Sequence, residues 1–282
     1  MIPGREALGW SKELWDRLDH AVSSESKRSS VAATILPLVG PLPDAVTVPA
    51  DVIDADRLAI AEDLTRPLVE LSASFTLTTA QVAGEARLLT ATSLATRAAN
   101  LLAIAEDTLI FRGDAGKDSA VFKFVKQRQS AGDGLVVSAD EEIVVHPVDA
   151  GTSRYGERTF AAVAEGCAHL QSKGHYGPYA LVLHDEIYAD TFAPLAGTLI
   201  SPADRIKPLV TQGYAGSGAL PKSIGILLSV GGNTVDLVLA TDAAVDFMNL
   251  DGTGLFHFRV WERFAPRVKD KTALVRLRFA SK

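Results

Sequence analysis

Hydrophobic and polar positions recur along this chain in two periods, and the switches between them mark its elements. From Ser11 to about Ser24, Trp15, Leu18 and Val22 share one face while Lys12, Glu13, Asp16, Arg17 and Asp19 occupy the others. That spacing predicts a short amphipathic helix with Ser11 as its N-cap. Its apolar face reads first as core and second as a recognition surface. A polar run over 23–30 leads into an extended stretch from Ile35 to Val39, which Gly40-Pro41-Leu42-Pro43 ends. Val46 to Pro67 is loop-like or hairpin-like, with Asp51, Asp54, Asp56, Glu62 and Asp63 as punctuation. It is long for a connector and reads as an arm that is functional or reaches a neighbour. The period then changes to two: Leu71, Ala73, Phe75 and Leu77 share one strand face, Ser72, Ser74 and Thr76 the other.

The longest helical signal runs from Gln81 to about Phe111, rich in Ala and Leu, with no Gly after Gly84 and no Pro. It predicts one continuous spine of roughly 45 Å. Leu88, Ala91, Ala95, Ala98, Leu102 and Ala105 form the face on which a sheet packs closely, and Arg112-Gly113 ends it. Residues 113–156 are irregular apart from a strand at Glu142 to Val145. A helix follows from Glu157 to Lys173, then a turn and a buried strand, Tyr179 to Leu183. Helices are expected at Asp185 to Leu195 and Pro202 to Thr211. Strands follow at Ile224 to Val230, Thr234 to Leu239, Val245 to Met248, Leu255 to Phe264 and Leu274 to Phe279. The class is α+β, without an internal repeat.

Composition narrows the functions. With 28 Lys and Arg against 34 Asp and Glu, the formal charge of −6 disfavours general nucleic-acid binding. Cys167 stands alone, so an internal disulfide and a cysteine-rich zinc site are excluded. No window approaches the roughly 18 consecutive apolar residues of a membrane span, and the start, Met1-Ile2-Pro3-Gly4-Arg5, does not read as a secretory signal. A soluble cytoplasmic protein is expected.

No catalytic or metal-binding constellation emerges. Residues 216–223 nearly spell a phosphate-binding loop, but Pro221 stands where a glycine is required and removes a needed N–H, so they read as a surface loop. Ser24 and Lys27 have a serine–lysine spacing without its partner motifs and read as a solvated helix end. The six histidines are scattered; His184-Asp185-Glu186 reads as a helix start, and Cys167 as a small buried residue.

Four stretches together carry a resemblance. Residues Arg66 to Leu77, the run Ala105-Glu106-Asp107-Thr108-Leu109-Ile110-Phe111-Arg112-Gly113, the turn and strand Gly174 to Leu183, and the Trp15 helix followed by Gly40-Pro41 resemble, in order, the encapsulins, shell proteins of bacterial and archaeal nanocompartments. The resemblance implies the tailed-phage major-capsid fold, with residues 1–45 opening a peripheral domain and 46–67 as the arm. It places the peripheral domain and spine at 68–150, an axial domain at 151–240 and return strands at 241–282. It further implies self-assembly into an icosahedral shell around a cargo enzyme, a ferritin-like iron-storage protein or a dye-decolourising peroxidase, held by a short terminal peptide. By position the peptide groove involves Val22, Ser26, Ile35, Leu36, Pro37, Val245 and Phe247, which tips the Trp15 face towards docking. The same resemblance implies that the loop Ala196, Gly197, Thr198, Leu199, Ile200 and Ser201 lines the five-fold pore. Some relatives bind flavin beside a Trp before the spine; Thr78-Thr79-Ala80-Gln81 has no aromatic, so no cofactor is expected. A phage or prophage capsid protein packaging DNA is the alternative on the same fold, which the net charge disfavours.

Overall fold

The computed structural model describes residues 5–54, 57–61, 63–148, 153–194, 197 and 199–281. The amphipathic stripe runs further than predicted. Helix α1 spans Lys12–Ser29, with Trp15, Leu18, Val22 and Ser26 buried, and Ser11 Oγ accepts the Leu14 N–H at 3.3 Å. The stripe rests on helix α4 (Thr90–Arg112) and strand β12 (Val235–Leu250). A short helix, α2 (Ala32–Ile35), follows and leads to β1 (Leu38–Val39).

The predicted spine is two helices. α3 (Thr79–Leu88) meets α4 at an angle of 89°. Leu89, at φ 55°, makes the corner without glycine or proline. The cause is Glu85, whose buried carboxylate accepts the Ala91 N–H at 2.6 Å, the Thr92 N–H at 3.0 Å and the Thr92 hydroxyl at 2.8 Å. It caps the free donors of α4, so a new helix begins where composition alone continues the old one. Of the predicted packing face, Ala91, Ala95, Ala98, Leu102 and Ala105 are buried and Leu88 is exposed. Gly113, at φ 62°, ends α4 as expected; a Cβ there would lie 2.1 Å from the Gly132 carbonyl oxygen.

The first sheet runs β1, β12, β13 (Leu255–Val268), β6 (Val69–Thr78), β7 (Val125–Arg128), antiparallel except for β1 on β12. The alternation in β6 sends Leu71, Ala73 and Leu77 into the core, while Phe75 stacks on Phe258 at 5.2 Å. The two strands expected over 234–248 are the single β12, which carries register shifts between Leu239 and Ala244. The polar Thr241-Asp242 there imitates a loop.

The second sheet runs β10 (Gly213–Gly216), β9 (Tyr179–Leu183), β11 (Ile224–Ser229), β14 (Leu274–Phe279), β8 (Glu141–Val145). β9 is buried on both faces, with Ala180 and Val182 in the first core and Leu181 and Leu183 in the second, which explains its unbroken apolar run. Helix α6 (Glu157–Ser172) covers the far face; a Cβ on Gly166 would lie 2.7 Å from Leu227 Cδ2, so glycine permits this approach. Residues 274–279 therefore complete the second sheet and are not return strands of the first, because Val275, Leu277 and Phe279 fill its core. β8 likewise leaves the 68–150 segment, and the start of β12 leaves the 151–240 segment. The short helices α5 (Leu135–Ser138), α7 (Asp185–Asp190) and α8 (Pro202–Ile206) lie around this sheet, the last two ending before the expected 195 and 211.

The arm carries two small ladders, β2 (Thr47–Pro49) on β5 (Thr65–Pro67) and β3 (Ile53–Asp54) on β4 (Ala59–Ile60). Its base is fixed by charge. Arg267 donates to both oxygens of fully buried Asp236 at 2.7 Å, to Asp51 at 2.5 Å and to the Pro49 carbonyl at 3.2 Å. Lys269 Nζ sits 2.8 Å from Asp236, so two cations hold one buried carboxylate in place.

Candidate functional site

The residues expected to form a peptide groove are brought together, but as its floor. Val22, Ile35, Leu36, Val245 and Phe247 belong to one buried cluster, and Ser26 is buried beside them on α1. Pro37 is half-buried, and its carbonyl accepts the Leu237 N–H at 2.9 Å. Packing of α1 onto α4 and β12, and of α2 onto α4, closes this set to water. Beside this set, the seam between α1 and the first sheet holds Arg5–Leu8, a 3-10 turn against β12, and Trp10, whose ring centroid lies 5.0 Å from Trp15 and 5.6 Å from Phe258 of β13. No pattern in the sequence marks residues 5–10 as part of the site; Trp10, five residues before Trp15, is the one signal available.

Buried carboxyls adjoin this core. Asp107 on α4 accepts the Ser30 hydroxyl and the Val31 and Ala32 N–H groups at 2.8–3.0 Å, fixing the entry to α2. Burial pushes it up to about 6, against those hydrogen bonds. Glu106, next to it, is held well above the ordinary carboxyl range by burial and then by the nearby Glu262 and Asp107. Glu262 on β13 is pushed up to about 8 by burial, then by Asp242 and Asp107, and its buried Oε1 has no partner among the described residues.

The sequence motifs that imitate chemistry resolve into structure. Lys222 is exposed and lies 3.5 Å from Glu186, Lys27 lies 3.7 Å from Asp242, and Ser24 lies 3.5 Å from His20. His184 is the N-cap of α7, its Nδ1 accepting the Glu186 N–H at 3.3 Å. Cys167 is buried, and burial pushes its thiol up to about 11, away from reactivity. Thr78 and Gln81 form a capping box at the start of α3. No group of three His, Cys, Asp or Glu among the described residues could hold a metal ion.

Of the loop expected to line a pore, Ala196 and Thr198 lie outside the described residues. Leu199 is 98% exposed and Ile200 half-exposed, whereas Ser201 is buried and caps α8 in a reciprocal pair with Asp204. Ser201 is thus a helix cap, turned in from the loop.

The family model described as "encapsulating protein for peroxidase" matches residues 4–265. The chain belongs to the encapsulin family. Encapsulins are structural shell proteins, so the chain is not itself an enzyme. It is 28% identical over 284 residues to the type 1 encapsulin shell protein EncA of Myxococcus xanthus, covering 94% of this chain and 92% of that protein. Its fold is that of the virus-like particle from Pyrococcus furiosus, with a TM-score of 0.71 at 16% identity over 94% of this chain and 99% of that one. The Mycobacterium phage Bobi protein shares it, with a TM-score of 0.61 at 14% identity over 90% and 91%. The capsid of Myoviridae phage XM1 also shares this α+β fold, with a TM-score of 0.59 at 13% identity over 89% of this chain and 92% of that one, and the family match over nearly the whole chain favours encapsulin over phage capsid.

Proposed function

We propose that copies of this chain close into an icosahedral nanocompartment in the cytoplasm and retain a cargo enzyme inside by its terminal peptide. The observation that carries this reading is apolar surface left open on separate parts of the chain. Leu58 is 92% exposed on the arm, with Ile60 and Leu64 beside it; Leu88 is exposed on α3, and Met248 and Leu250 at the tip of the β12–β13 hairpin. Apolar residues on several remote edges suit heterologous contacts, one patch of each copy meeting a different patch of the next, which is the arrangement that closes shells. In this reading the first sheet with α1 and α4 is the peripheral domain, the second sheet with α6 the axial domain and residues 46–67 the arm. Residues 196–201 line an opening at the five-fold axis, with Leu199 and Ile200 its apolar rim. The cargo peptide docks over the floor built by Val22, Ser26, Ile35, Leu36, Pro37, Val245 and Phe247.

The family description names a peroxidase, which makes a dye-decolourising peroxidase the first cargo to test and a ferritin-like iron-storage protein the second. Electron microscopy of the purified protein is expected to show hollow closed particles; a species that stays monomeric at high concentration ends this reading. Co-production with a peroxidase should load the particles, and removing the peroxidase's terminal peptide should empty them. Nucleic acid copurifying inside the particles would instead support the phage-type alternative.

A further inference from the structure

Residues 5–10 run from the edge strand β12, at Val245, to the face of the first sheet at Phe258. Among the described residues β12 borders β1 only at Leu237 and Val238, and from Thr241 to Leu250 it is paired on its β13 side alone. Arg5 secures the segment there: Nη1 and Nη2 reach the two Asp19 oxygens at 2.7 and 2.6 Å, and Nη2 donates to the Val245 carbonyl at 2.7 Å. Its guanidinium carbon sits 4.4 Å from the Trp15 ring centroid, and its side chain is 13% exposed. Leu8 and Trp10 are half-buried against the core, with Trp10 Nε1 donating to the Val82 carbonyl at 3.2 Å, while Glu6 and Ala7 face solvent. Beneath the segment, the buried Trp15 Nε1 and Arg5 Nε find no acceptor among the described residues. Folded cores leave few such donors unsatisfied, and those left are places where a further acceptor belongs.

We propose that Arg5–Trp10 is a displaceable strap occupying the peptide-docking seam of the empty subunit; the inference rests on the docking reading given above. A peptide that replaces the strap must offer the same chemistry: a cation for Asp19 and the Val245 carbonyl, a bulky apolar side chain for the slot between Trp15 and Phe258, and a backbone carbonyl for the Trp15 N–H. One ion pair, two hydrogen bonds to backbone carbonyls, the Arg5–Trp15 stack and two half-buried side chains hold the strap, all at the margin of the sealed core. As an intramolecular competitor it acts at an effective concentration on the order of millimolar, so with an intrinsic dissociation constant of about 0.1 mM it weakens a competing peptide about tenfold.

The test uses full-length shells co-produced with a fluorescent protein whose C terminus carries a copy of the Arg5–Trp10 sequence. Arg5→Glu, which repels Asp19, and Trp10→Ala, which vacates the slot, each free the seam by a different route. Assembled shells of either variant are expected to hold at least about fivefold more fluorescent protein per particle than wild-type shells. Equal, measurable loading of all three shells overturns the strap and leaves the docking seam intact. No loading of any shell refutes the docking reading and the strap with it. In wild-type shells, loading is also expected to speed amide hydrogen exchange over residues 5–10; unchanged exchange in loaded particles argues against displacement.

Discussion

The buried carboxyls make stability depend on pH in an unusual direction. Glu106 and Glu262 are 2% and 3% exposed, and burial, then repulsion from nearby carboxyls (Glu262 and Asp107 for Glu106, Asp242 and Asp107 for Glu262), raises both above their ordinary value of 4.5. The folded chain therefore holds these protons more tightly than the unfolded chain. Folding is favoured fully below about pH 4.5, loses stability as pH climbs, and levels off once the folded groups ionise. Each group contributes a slope of about 1.4 kcal/mol per pH unit. For Glu262, raised from 4.5 to about 8, the penalty accumulated by pH 8 is about 5 kcal/mol as a ceiling, because Glu106 titrates with it. Glu262→Gln keeps the shape and removes the charge. Its shells are expected to match wild type near pH 5 and to exceed it at pH 8 by about 2–4 kcal/mol, or roughly 5–15 °C in apparent melting temperature. Scanning fluorimetry of both shells from pH 5 to 9 reads this directly. Parallel pH profiles, or a variant less stable at pH 8, would refute the account of the buried pair.

Other substitutions test other joints. Glu85→Ala removes the cap of α4 and leaves its first N–H groups without their acceptor, so a loss of about 1–3 kcal/mol is expected in urea unfolding. Arg267→Ala leaves Asp236 buried with Lys269 alone and frees the arm base; a cost of about 3–5 kcal/mol and faster proteolysis within residues 46–67 are expected. Val22→Asp places an unpaired carboxylate at a fully buried position, and insoluble protein is expected on expression. Leu58→Asp, at an exposed position of the arm, should leave the subunit folded by circular dichroism and prevent closed particles from forming.

Local rules were enough for much of this protein. The Trp15–Leu18–Val22 stripe, the alternation from Leu71 to Leu77, the doubly buried run at Tyr179–Leu183 and the stop at Gly113 each follow from a period or a special backbone angle that neighbouring residues dictate. The four short signatures, taken in order, resemble those of the encapsulins by sequence alone. Tertiary structure decided what contacts remote in sequence control. Glu85 breaks a helix that Ala and Leu would continue, because its carboxylate reaches donors six and seven residues ahead. Leu274–Phe279 joins the second sheet because its apolar face completes that core, although its alternation fits either sheet equally well. The expected groove residues became a sealed floor, and residues 5–10 came to pack beside them against Trp15, Asp19 and Val245, because burial is a property of what packs from elsewhere in the chain; a hydrophobic period states that a face will be covered and is silent on the partner that covers it.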